Sequence, residues 1–350
     1  YGIGGVALDW FRSYLTGRLQ CVRYAGRHSA TRAMLYGVPQ GSVLGPILFI
    51  LYTADLAAFI EQHGLLPHLY ADDTQIVGSC RPTDTAIHCL RVESCIADVA
   101  GWMSANRLQL NVAKTELMWC STSRRRHQVP IDGFTIGQDS IQPVASVRDL
   151  GLYLDSTMSM RDHVSRLTST CFGVLRQIRF IRCNLTRRSL AMLVTCFVFV
   201  RLDYCNATLV DLPRCELNRL QAVQNAAVRL VAGASRFDHV TPLLRERHWL
   251  PLHLRVAYKL AVMVFKCLAA TTADYLTTFT HPPESATSLR LRSANTRQLH
   301  VPRTRTAYGD RAFAVAGPRL WNSLPDSVKC VTSLGTFKQR LKTHLFRTLD

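Results

Sequence analysis

The sequence predicts an α+β fold with a mixed N-terminal part and an all-helical C-terminal part. Up to about Asp155, short strand-like segments alternate with apolar helical segments. From Met160 onward, one amphipathic helix follows another. At 350 residues and 48% hydrophobic composition, the chain is long enough for two or three domains. We divide it into residues 1–155, 156–235 and 236–350.

The first predicted elements are a helix, a hairpin and a longer helix. The helix is the segment GGVALDWFRSYLTGR, whose apolar residues fall on one stripe and which Gly17 ends. In the hairpin, Gln20 to Tyr24 pairs with Ser29 to Leu35. A Gly/Pro-rich loop then leads into an apolar helix that ends near Gly64, in the segment GVPQGSVLGPILFILYTADLAAFIEQHG. Pro46 is acceptable in the first turn of that helix.

A second hairpin and several shorter segments complete the mixed part. Its strands are His68 to Tyr70 and Thr74 to Val77. An amphipathic helix from Asp84 to Met103 is expected to pack against the sheet. Two later segments each predict one strand, with the basic loop STSRRRH between them; they are NRLQLNVAKTELMWC and VASVRDLGLYLD.

The C-terminal part is predicted to be helical apart from one linker. Helices are expected over four segments: Arg161 to Ile181, Pro213 to Ala232, Leu252 to Ala270 and Ser333 to Leu349. The apolar run Leu190 to Val200 is too short to span a bilayer and indicates a buried helix. The stretch Thr271 to Thr306 is rich in Thr, Ser, Pro and Arg, which is typical of a linker or an extended arm.

The charge balance indicates a polyanionic partner. The formal net charge is +18, from 42 Lys and Arg against 24 Asp and Glu. Nucleic acid fits this surplus better than an anionic membrane surface. Three arginines, Arg176, Arg179 and Arg182, recur at a spacing of three, which keeps them near one another on a helix. They could contact the phosphates of a nucleic acid or form a solvated basic face, and both interpretations stay open.

The cysteines indicate the compartment, and the first residue indicates a longer protein. The 12 cysteines are scattered, with no CxxC pair and no zinc-type Cys/His spacing. We therefore expect reduced thiols in an intracellular protein, with no disulfide partner and no structural zinc. The chain begins at Tyr1 rather than Met and has no signal-peptide core, so we expect a piece of a longer protein.

Two adjacent carboxylates, Asp72 and Asp73, stand in the otherwise apolar stretch LLPHLYADDTQIVGSC. Ionised carboxylates are rarely buried without a partner, so the pair is expected at the turn of the second hairpin. Hard oxygen ligands of this kind suit Mg²⁺ or Mn²⁺, and two such ions stabilise the attacking and leaving oxygens of phosphoryl transfer. An Asp-rich type I turn that binds no metal is the alternative.

A second motif gives the carboxylates a context. Upstream of them stands YGVPQGSVLGPILFILYTADL, and the two stretches together resemble the reverse transcriptases of non-LTR (LINE-like) retrotransposons. The later segments LQLNVAKTELM and VRDLGLYLD resemble the next blocks of that family. The resemblance implies a partial right-hand polymerase palm over residues 1–155, an all-helical thumb over 156–235, and a C-terminal helical extension with a basic linker over 236–350.

The resemblance also implies an activity and its reactants. The activity is RNA-directed DNA polymerisation by two-metal nucleotidyl transfer. Its partners are an RNA template, a DNA primer and deoxynucleoside triphosphates, and its cofactor is Mg²⁺ or Mn²⁺. A protein of this family meets its RNA in the cytoplasm and its DNA in the nucleus, and no membrane is implied.

Several residues take roles by resemblance. Asp72 and Asp73 match the metal ligands, and Tyr70 would lie beside the primer end. The nucleotide and template pocket maps to Pro39, Gln40, Gly41 and Ser42. A glycine at position 41 makes physical sense there, because a backbone without Cβ can approach a base pair closely.

Three further residues match later blocks. Lys114 lies where the family places a proton donor to the leaving pyrophosphate. A surface lysine at the start of a strand is the alternative. Leu150 and Gly151 match the block that grips the primer, where their role would be packing and shape.

One block of the family is missing from the sequence. The family has another metal-binding Asp upstream of the first helix, in a block of the form Phe-Asp-x-Val-Asp. Asp9 falls inside the first helix and is not a convincing substitute. We therefore expect an incomplete metal site and a poor or inactive polymerase. The alternatives are a nucleic-acid-binding remnant without catalysis, and an unselected fragment that barely folds.

The C-terminal region offers one more resemblance. The stretch GPRLWNSLPDSVK resembles a segment near the end of such element proteins, but no chemistry follows from it. Within it, Trp321 is expected to be a packing residue rather than a base-stacking platform.

Overall fold

The computed structural model describes residues 2–39, 41–136, 139–280 and 298–349. The fold is α+β, as predicted, with 57% helix and 10% strand. The chain forms two compact units. The first unit comprises Tyr1–Leu117 and Gln128–Pro143, and the second comprises Met118–His127 and Val144–Asp350. The finer division into three parts stays a prediction.

The first unit begins with a helix and a hairpin, as predicted. Helix α1 spans Gly5–Leu15, and none of its residues is buried. The hairpin has two sections, in which β1 (Leu19–Gln20) pairs with β4 (Arg32–Ala33) and β2 (Arg23–Tyr24) pairs with β3 (Arg27–His28). Its turn residues at positions 25 and 26 have φ values of 46° and 78°, as a two-residue hairpin turn requires.

The long apolar helix predicted next is divided in two. Helix α2 spans Leu44–Tyr52 and helix α3 spans Ala54–Glu61. The break is at Thr53, whose hydroxyl donates a hydrogen bond to the Phe49 carbonyl at 3.0 Å. A threonine hydroxyl that bonds back to the preceding turn competes with regular helix geometry. Pro46 lies in the first turn of α2, as predicted.

This pair of helices is also apolar along its length. The 18-residue window Leu44–Glu61 has a mean hydropathy of 1.6, which by length and composition would allow it to cross a membrane. Within it, Leu56 and Ile60 are buried in the core of the first unit. Unlike the run Leu190 to Val200, this segment is therefore not too short to span a bilayer.

A hairpin and a long helix complete the core of the first unit. Strand β5 (Leu66–Tyr70) pairs with β6 (Asp73–Val77), and helix α4 spans Thr85–Ala105. A further hairpin, β7 (Phe134–Ile136) with β8 (Asp139–Ile141), packs near α4 and was not predicted. The core is apolar and small, and its buried members are Leu56, Ile60, Leu65, Cys95 and Val99.

Two strand predictions were wrong. The segment NRLQLNVAKTELMWC forms a 3₁₀ turn at Val112–Lys114 and a single bridge between Leu117 and Pro143. The segment VASVRDLGLYLD folds back on itself as the hairpin β9 (Ser146–Asp149) and β10 (Leu152–Asp155), because two consecutive residues with positive φ turn the chain. Among the described residues, strands pair only two by two, so the single covered sheet that we expected does not form.

The second unit is helical beyond the β9–β10 hairpin. Its helices are α5 (Arg161–Ile181), α6 (Arg187–Val194), α7 (Val200–Asp203), α8 (Arg214–Ala232), α9 (Val240–Glu246), α10 (Leu252–Leu268), α11 (Asp274–Thr277), α12 (Ala307–Asp310), α13 (Phe313–Ser323), α14 (Asp326–Lys329) and α15 (Leu334–Arg347). The four predicted long helices are confirmed within two residues at each end. The predicted linker Thr271 to Thr306 contains α11, and its residues 281–297 lie outside the described residues.

Two apolar cores stabilise the second unit. One lies among α5, α6, α8 and the start of α10, and the other lies among α10, α13 and α15. Leu190 and Val194 are buried in the first core, whereas Met192 is exposed, so the predicted buried helix is buried on one face. Trp321 is 2% exposed and its ring stacks on Phe337 with centroids 5.8 Å apart, which confirms that it is a packing residue. All 12 cysteines are free thiols.

Candidate active site

The paired carboxylates lie at the tip of the β5–β6 hairpin. Tyr70 and Asp73 are the last paired residues, so Ala71 and Asp72 form a two-residue turn. Ala71 has a φ of 53°, a conformation that costs an alanine about 1–2 kcal/mol. Both carboxylates are exposed, as is Tyr70, with 65% of its surface accessible. The tight turn thus explains how an apolar stretch can carry two charges without burying them.

The donor chemistry of this turn fits a hard divalent cation. Mg²⁺ is typically held by one or two carboxylates, with water and substrate phosphates as the other ligands. Among the residues that the structure describes, no three His, Cys, Asp or Glu side chains cluster closely enough to hold a metal. Asp9 forms an ion pair with Arg12 at 3.1 Å on α1. Asp72 and Asp73 could therefore supply two ligands to such a cation.

The Pro-Gln-Gly loop precedes α2 in the first unit. Pro39 and Ser42 are partly buried, and Gly41 is exposed with a φ of 79°. Gln40 lies outside the described residues. The Ser42 hydroxyl accepts a hydrogen bond from the Gly45 N–H at 3.0 Å, so it satisfies one of the free donors at the start of α2. Among the described residues, no atom beyond its chain neighbours would lie within 4 Å of a Cβ on Gly41, which leaves this side of its backbone open to a ligand.

Two arginines contact the residues that precede this loop. The Arg18 guanidinium donates to the carbonyls of Tyr36 and Gly37 at 3.3 and 2.5 Å. The Arg107 guanidinium lies over the Tyr36 ring, 4.1 Å from its centroid. A contact of this kind contributes about 0.5–1 kcal/mol at an exposed site. Sequence reasoning missed both arginines, since no motif marks them.

Lys114 does not lie at the start of a strand. It ends the 3₁₀ turn that begins at Val112, its side chain is exposed, and its N–H donates to the Asn111 carbonyl at 3.0 Å. In the described part of the chain, no hydrogen bond or ion pair joins Lys114 to Asp72 or Asp73. Its catalytic role stays a prediction.

The predicted primer-grip residues form the tip of the β9–β10 hairpin in the second unit. Leu150 and Gly151 have φ values of 43° and 87°. The Tyr204 hydroxyl donates to the Leu150 carbonyl at 2.6 Å. A Cβ on Gly151 would lie 3.2 Å from the Tyr204 ring, so only glycine fits there without displacement. Tyr204 therefore fixes the position of the hairpin tip.

A buried carboxylate anchors the other end of this hairpin. Asp155 is 8% exposed and accepts hydrogen bonds from the N–H and hydroxyl groups of Thr157 and Ser159, at 2.6 to 3.1 Å. Burial alone would raise the pKa of Asp155, but the bonds from Thr157 and Ser159 together outweigh it and hold the pKa below its ordinary value. The turn between β10 and α5 is built around this charge.

The predicted backbone-binding arginines are exposed near the end of α5. Arg176 and Arg179 lie on the helix, and Arg182 opens the short 3₁₀ turn after it. Nearby in the same unit, the Arg166 guanidinium lies 4.4 Å from the centre of the Tyr153 ring. Phosphate binding and a solvated face both remain compatible with these positions.

The predicted site residues are thus divided between the two units. The first unit carries Pro39, Gly41, Ser42, Tyr70, Asp72, Asp73 and Lys114, and the second carries Leu150, Gly151, Arg176, Arg179 and Arg182.

The family comparison matches the part of the chain that holds the carboxylate turn. Residues 3–152 match the family described as reverse transcriptase (RNA-dependent DNA polymerase). Among curated relatives, the chain is 29% identical over 248 residues to a probable RNA-directed DNA polymerase from transposon BS of Drosophila melanogaster. It is 25% identical over 240 residues to the corresponding protein of transposon X-element from the same organism. Both matches cover 67% of this chain and 26% of the relative.

A third relative comes from another fly. The RNA-directed DNA polymerase from mobile element jockey of Drosophila funebris is 23% identical over 231 residues, which cover 64% of this chain and 25% of the relative. The chain thus spans about a quarter of the length of the curated relatives that it matches. No solved structure is significantly similar to the chain.

Proposed function

We propose that the chain carries out RNA-directed DNA synthesis for a retroelement, because residues 3–152 match the reverse transcriptase (RNA-dependent DNA polymerase) family. The observation that supports this best is the exposed Asp72–Asp73 turn, which follows the Pro-Gln-Gly loop in the order typical of the family. The reaction is the transfer of a nucleotide from a deoxynucleoside triphosphate to a DNA primer paired with an RNA template.

The carboxylates are the centre of the proposed mechanism. Asp72 and Asp73 would hold Mg²⁺ or Mn²⁺, and the bound cation would stabilise the negative charge that develops during nucleotidyl transfer. The turn conformation keeps the two carboxylates adjacent and in solvent, so binding a cation requires no burial of unpaired charge. Tyr70 lies at the same hairpin end and positions the primer terminus.

The loop before α2 takes the nucleotide and the template. Pro39, Gly41 and Ser42, with Gln40, line that pocket in this proposal. The open space around Gly41 supports it, because a base pair could approach the backbone there. Arg18 positions the loop by holding the two carbonyls that precede it.

The remaining roles are distributed over both units. Lys114 acts as the proton donor to the leaving pyrophosphate, and Leu150 and Gly151 contact the primer. The exposed arginines Arg176 and Arg179, with Arg182, contact the backbone phosphates. The proposed places of action are the cytoplasm, where the protein meets its RNA, and the nucleus, where it meets its DNA.

The two-carboxylate site also limits the proposed activity. A two-metal centre normally draws on more ligands than one turn supplies, and the described residues provide no third acidic or histidine side chain close to Asp72 and Asp73. We therefore expect extension by this chain alone to be slow. A second candidate function follows from the net charge of +18, which favours a nucleic-acid-binding protein without catalysis.

Primer extension on an RNA template separates the two candidates. The purified chain is supplied with Mg²⁺ or Mn²⁺ and compared with Asp72→Asn and with the control Asp132→Asn, which removes an exposed carboxylate from a loop of the same unit. The polymerase proposal predicts extension that is lost in Asp72→Asn and retained in Asp132→Asn. Extension that survives in Asp72→Asn contradicts it. Salt-sensitive binding of RNA without any extension favours the second candidate.

A further inference from the structure

The hairpin formed by β1 to β4 in the first unit lies entirely at the surface. None of the residues in its four short strands is buried. The exposed fraction is 83% for Tyr24 and 64% for Val22. Packing within the unit therefore does not account for the side chains that this hairpin carries.

Local hydrogen bonds nevertheless define the shape of the hairpin. The Val22 N–H donates to the Ser29 hydroxyl oxygen and the Ser29 N–H donates to the Val22 carbonyl, both at 2.9 Å. At the base of the hairpin, the Met34 N–H donates to the Arg18 carbonyl at 2.8 Å. The Arg18 guanidinium in turn bonds to the carbonyls that precede the Pro-Gln-Gly loop. The hairpin thus presents its side chains in a fixed arrangement on a base that is attached to that loop.

The charge of the hairpin is strongly positive. Between Asp9 and Asp55 the sequence carries five arginines and no Asp or Glu. Three of these arginines, Arg23, Arg27 and Arg32, are exposed, and no described residue forms a hydrogen bond or an ion pair with their guanidinium groups. The few residues of the first unit that the structure does not describe carry no carboxylate side chain. Unneutralised guanidinium groups on one small element favour a polyanionic partner.

An exposed aromatic ring lies among these charges at the tip of the hairpin. Tyr24 pairs with Arg27 across the strands, and Arg23 pairs with His28. Residues directly opposite each other in an antiparallel pair lie on the same face, with Cβ atoms about 4.5–5.5 Å apart. The Tyr24 ring and the Arg27 guanidinium are therefore neighbours on one face. An exposed ring beside an unpaired cation suits a nucleotide, whose base can stack while its phosphate meets the charge.

We propose that the tip of this hairpin binds single-stranded nucleic acid. The Tyr24 ring stacks on a base, Arg27 contacts a backbone phosphate on the same face, and Arg23 contacts a neighbouring phosphate. An anionic lipid headgroup would meet the charges but has no flat base for the ring. The choice of nucleic acid also rests on the proposed function, but the site requires neither Asp72 nor polymerisation.

The test is the binding of labelled oligo(dT) and oligo(rU) to the full chain by fluorescence anisotropy over a salt series. The variant Arg23→Gln/Arg27→Gln is compared with the control Arg81→Gln/Arg91→Gln, which removes the same charge from exposed positions of the same unit outside the hairpin. We expect the hairpin variant to bind about tenfold more weakly than the control. Its slope of log affinity against log salt should fall by about 1.4, or about 0.7 for each of two phosphate contacts.

A second pair of variants tests the stacking separately. Tyr24→Thr removes the ring and keeps a residue that favours a strand, whereas Tyr24→Phe keeps the ring. We expect Tyr24→Thr to weaken oligonucleotide binding about tenfold and to leave inorganic polyphosphate binding unchanged. Tyr24→Phe should bind as the wild type does. Circular dichroism verifies that each variant is folded.

Three results would overturn the proposal. Equal binding by the hairpin and control double variants would mean that diffuse surface charge binds the nucleic acid. Equal affinity of Tyr24→Thr and Tyr24→Phe for the oligonucleotides would exclude stacking. Tighter binding to phosphatidylserine vesicles than to either oligonucleotide would assign the hairpin to a membrane surface instead. Asp72→Asn is expected to leave all of these affinities unchanged, so failure of the polymerase proposal would not affect this test.

Discussion

Replacement of Asp155 by Ala is expected to destabilise the second unit strongly. The side chain accepts hydrogen bonds from two N–H groups and two hydroxyls, those of Thr157 and Ser159. The hydroxyls can turn to other acceptors, but the N–H groups of the partly buried Thr157 and Ser159 lose theirs, at up to about 1–3 kcal/mol each. The free energy of unfolding should therefore fall by about 2–6 kcal/mol.

Asp155→Asn is the matched variant. Asparagine keeps Oδ1, which accepts from both N–H groups and both hydroxyls, but it loses the charge and replaces Oδ2, which also accepts from the Ser159 hydroxyl at 3.1 Å. Hydrogen bonds to an ionised acceptor are about twice as strong as neutral ones, so we expect a cost of about 1–2 kcal/mol. Urea unfolding followed by far-UV circular dichroism measures both variants.

The same carboxylate makes stability depend on pH. Its pKa is lowered in the folded state, so the unfolded chain binds the proton more readily. The stabilisation by Asp155 is present above the unfolded pKa of about 3.9 and is lost as the pH falls through the lower folded value. Asp155→Asn should lack this acid-dependent loss. Asp155 would not have this role if Asp155→Ala costs no more stability than Asp155→Asn, or if both variants keep the wild-type response to acid.

Three other outcomes follow from the contacts. Gly151→Ala places a Cβ 3.2 Å from the Tyr204 ring at a φ of 87°, so it should lower the free energy of unfolding in urea by about 1–2 kcal/mol. The control Gly173→Ala, in open space on α5, should raise the free energy of unfolding by about 0.5–1 kcal/mol. Stabilisation by both variants would contradict this. Arg18→Ala removes the hydrogen bonds to the Tyr36 and Gly37 carbonyls, so amide hydrogen exchange should become faster in the Pro-Gln-Gly loop but not in α4. Unchanged exchange in the loop would show that Arg18 does not hold it. Burial raises the pKa of Cys171 to about 11, so at pH 8 a thiol reagent should modify exposed Cys21 and leave Cys171 unmodified in the folded chain; rapid modification of Cys171 would contradict this.

The elements that the sequence predicted best have local signals at both ends. Helix α8 begins after Pro213 and ends at Gly233, whose φ is 70°. Helix α5 has the predicted bounds, and its buried face recurs along the helix at Val164, Cys171, Leu175 and Ile178. The β9–β10 hairpin was read as one strand because Leu150 is a residue that rarely adopts positive φ, so its turn carries only half of the usual signal.

The candidate site also has features that local sequence signals predict and features that they do not. The Asp72–Asp73 turn was predictable, because adjacent charges in an apolar stretch must reach solvent. The contact of Arg18 with the carbonyls before the loop was not, since it joins residues 18 and 19 positions apart through backbone atoms that any residue possesses.

The central claim is that Asp72 and Asp73 form a metal-binding turn. The most direct measurement is the paramagnetic broadening of NMR signals from Tyr70, Ala71 and Thr74 as Mn²⁺ is added to the chain with a primer–template and a deoxynucleoside triphosphate. The account predicts selective broadening at this hairpin tip, abolished by Asp72→Asn/Asp73→Asn and kept in Asp132→Asn. Broadening that is uniform over the chain, or that persists in the double variant, would contradict it.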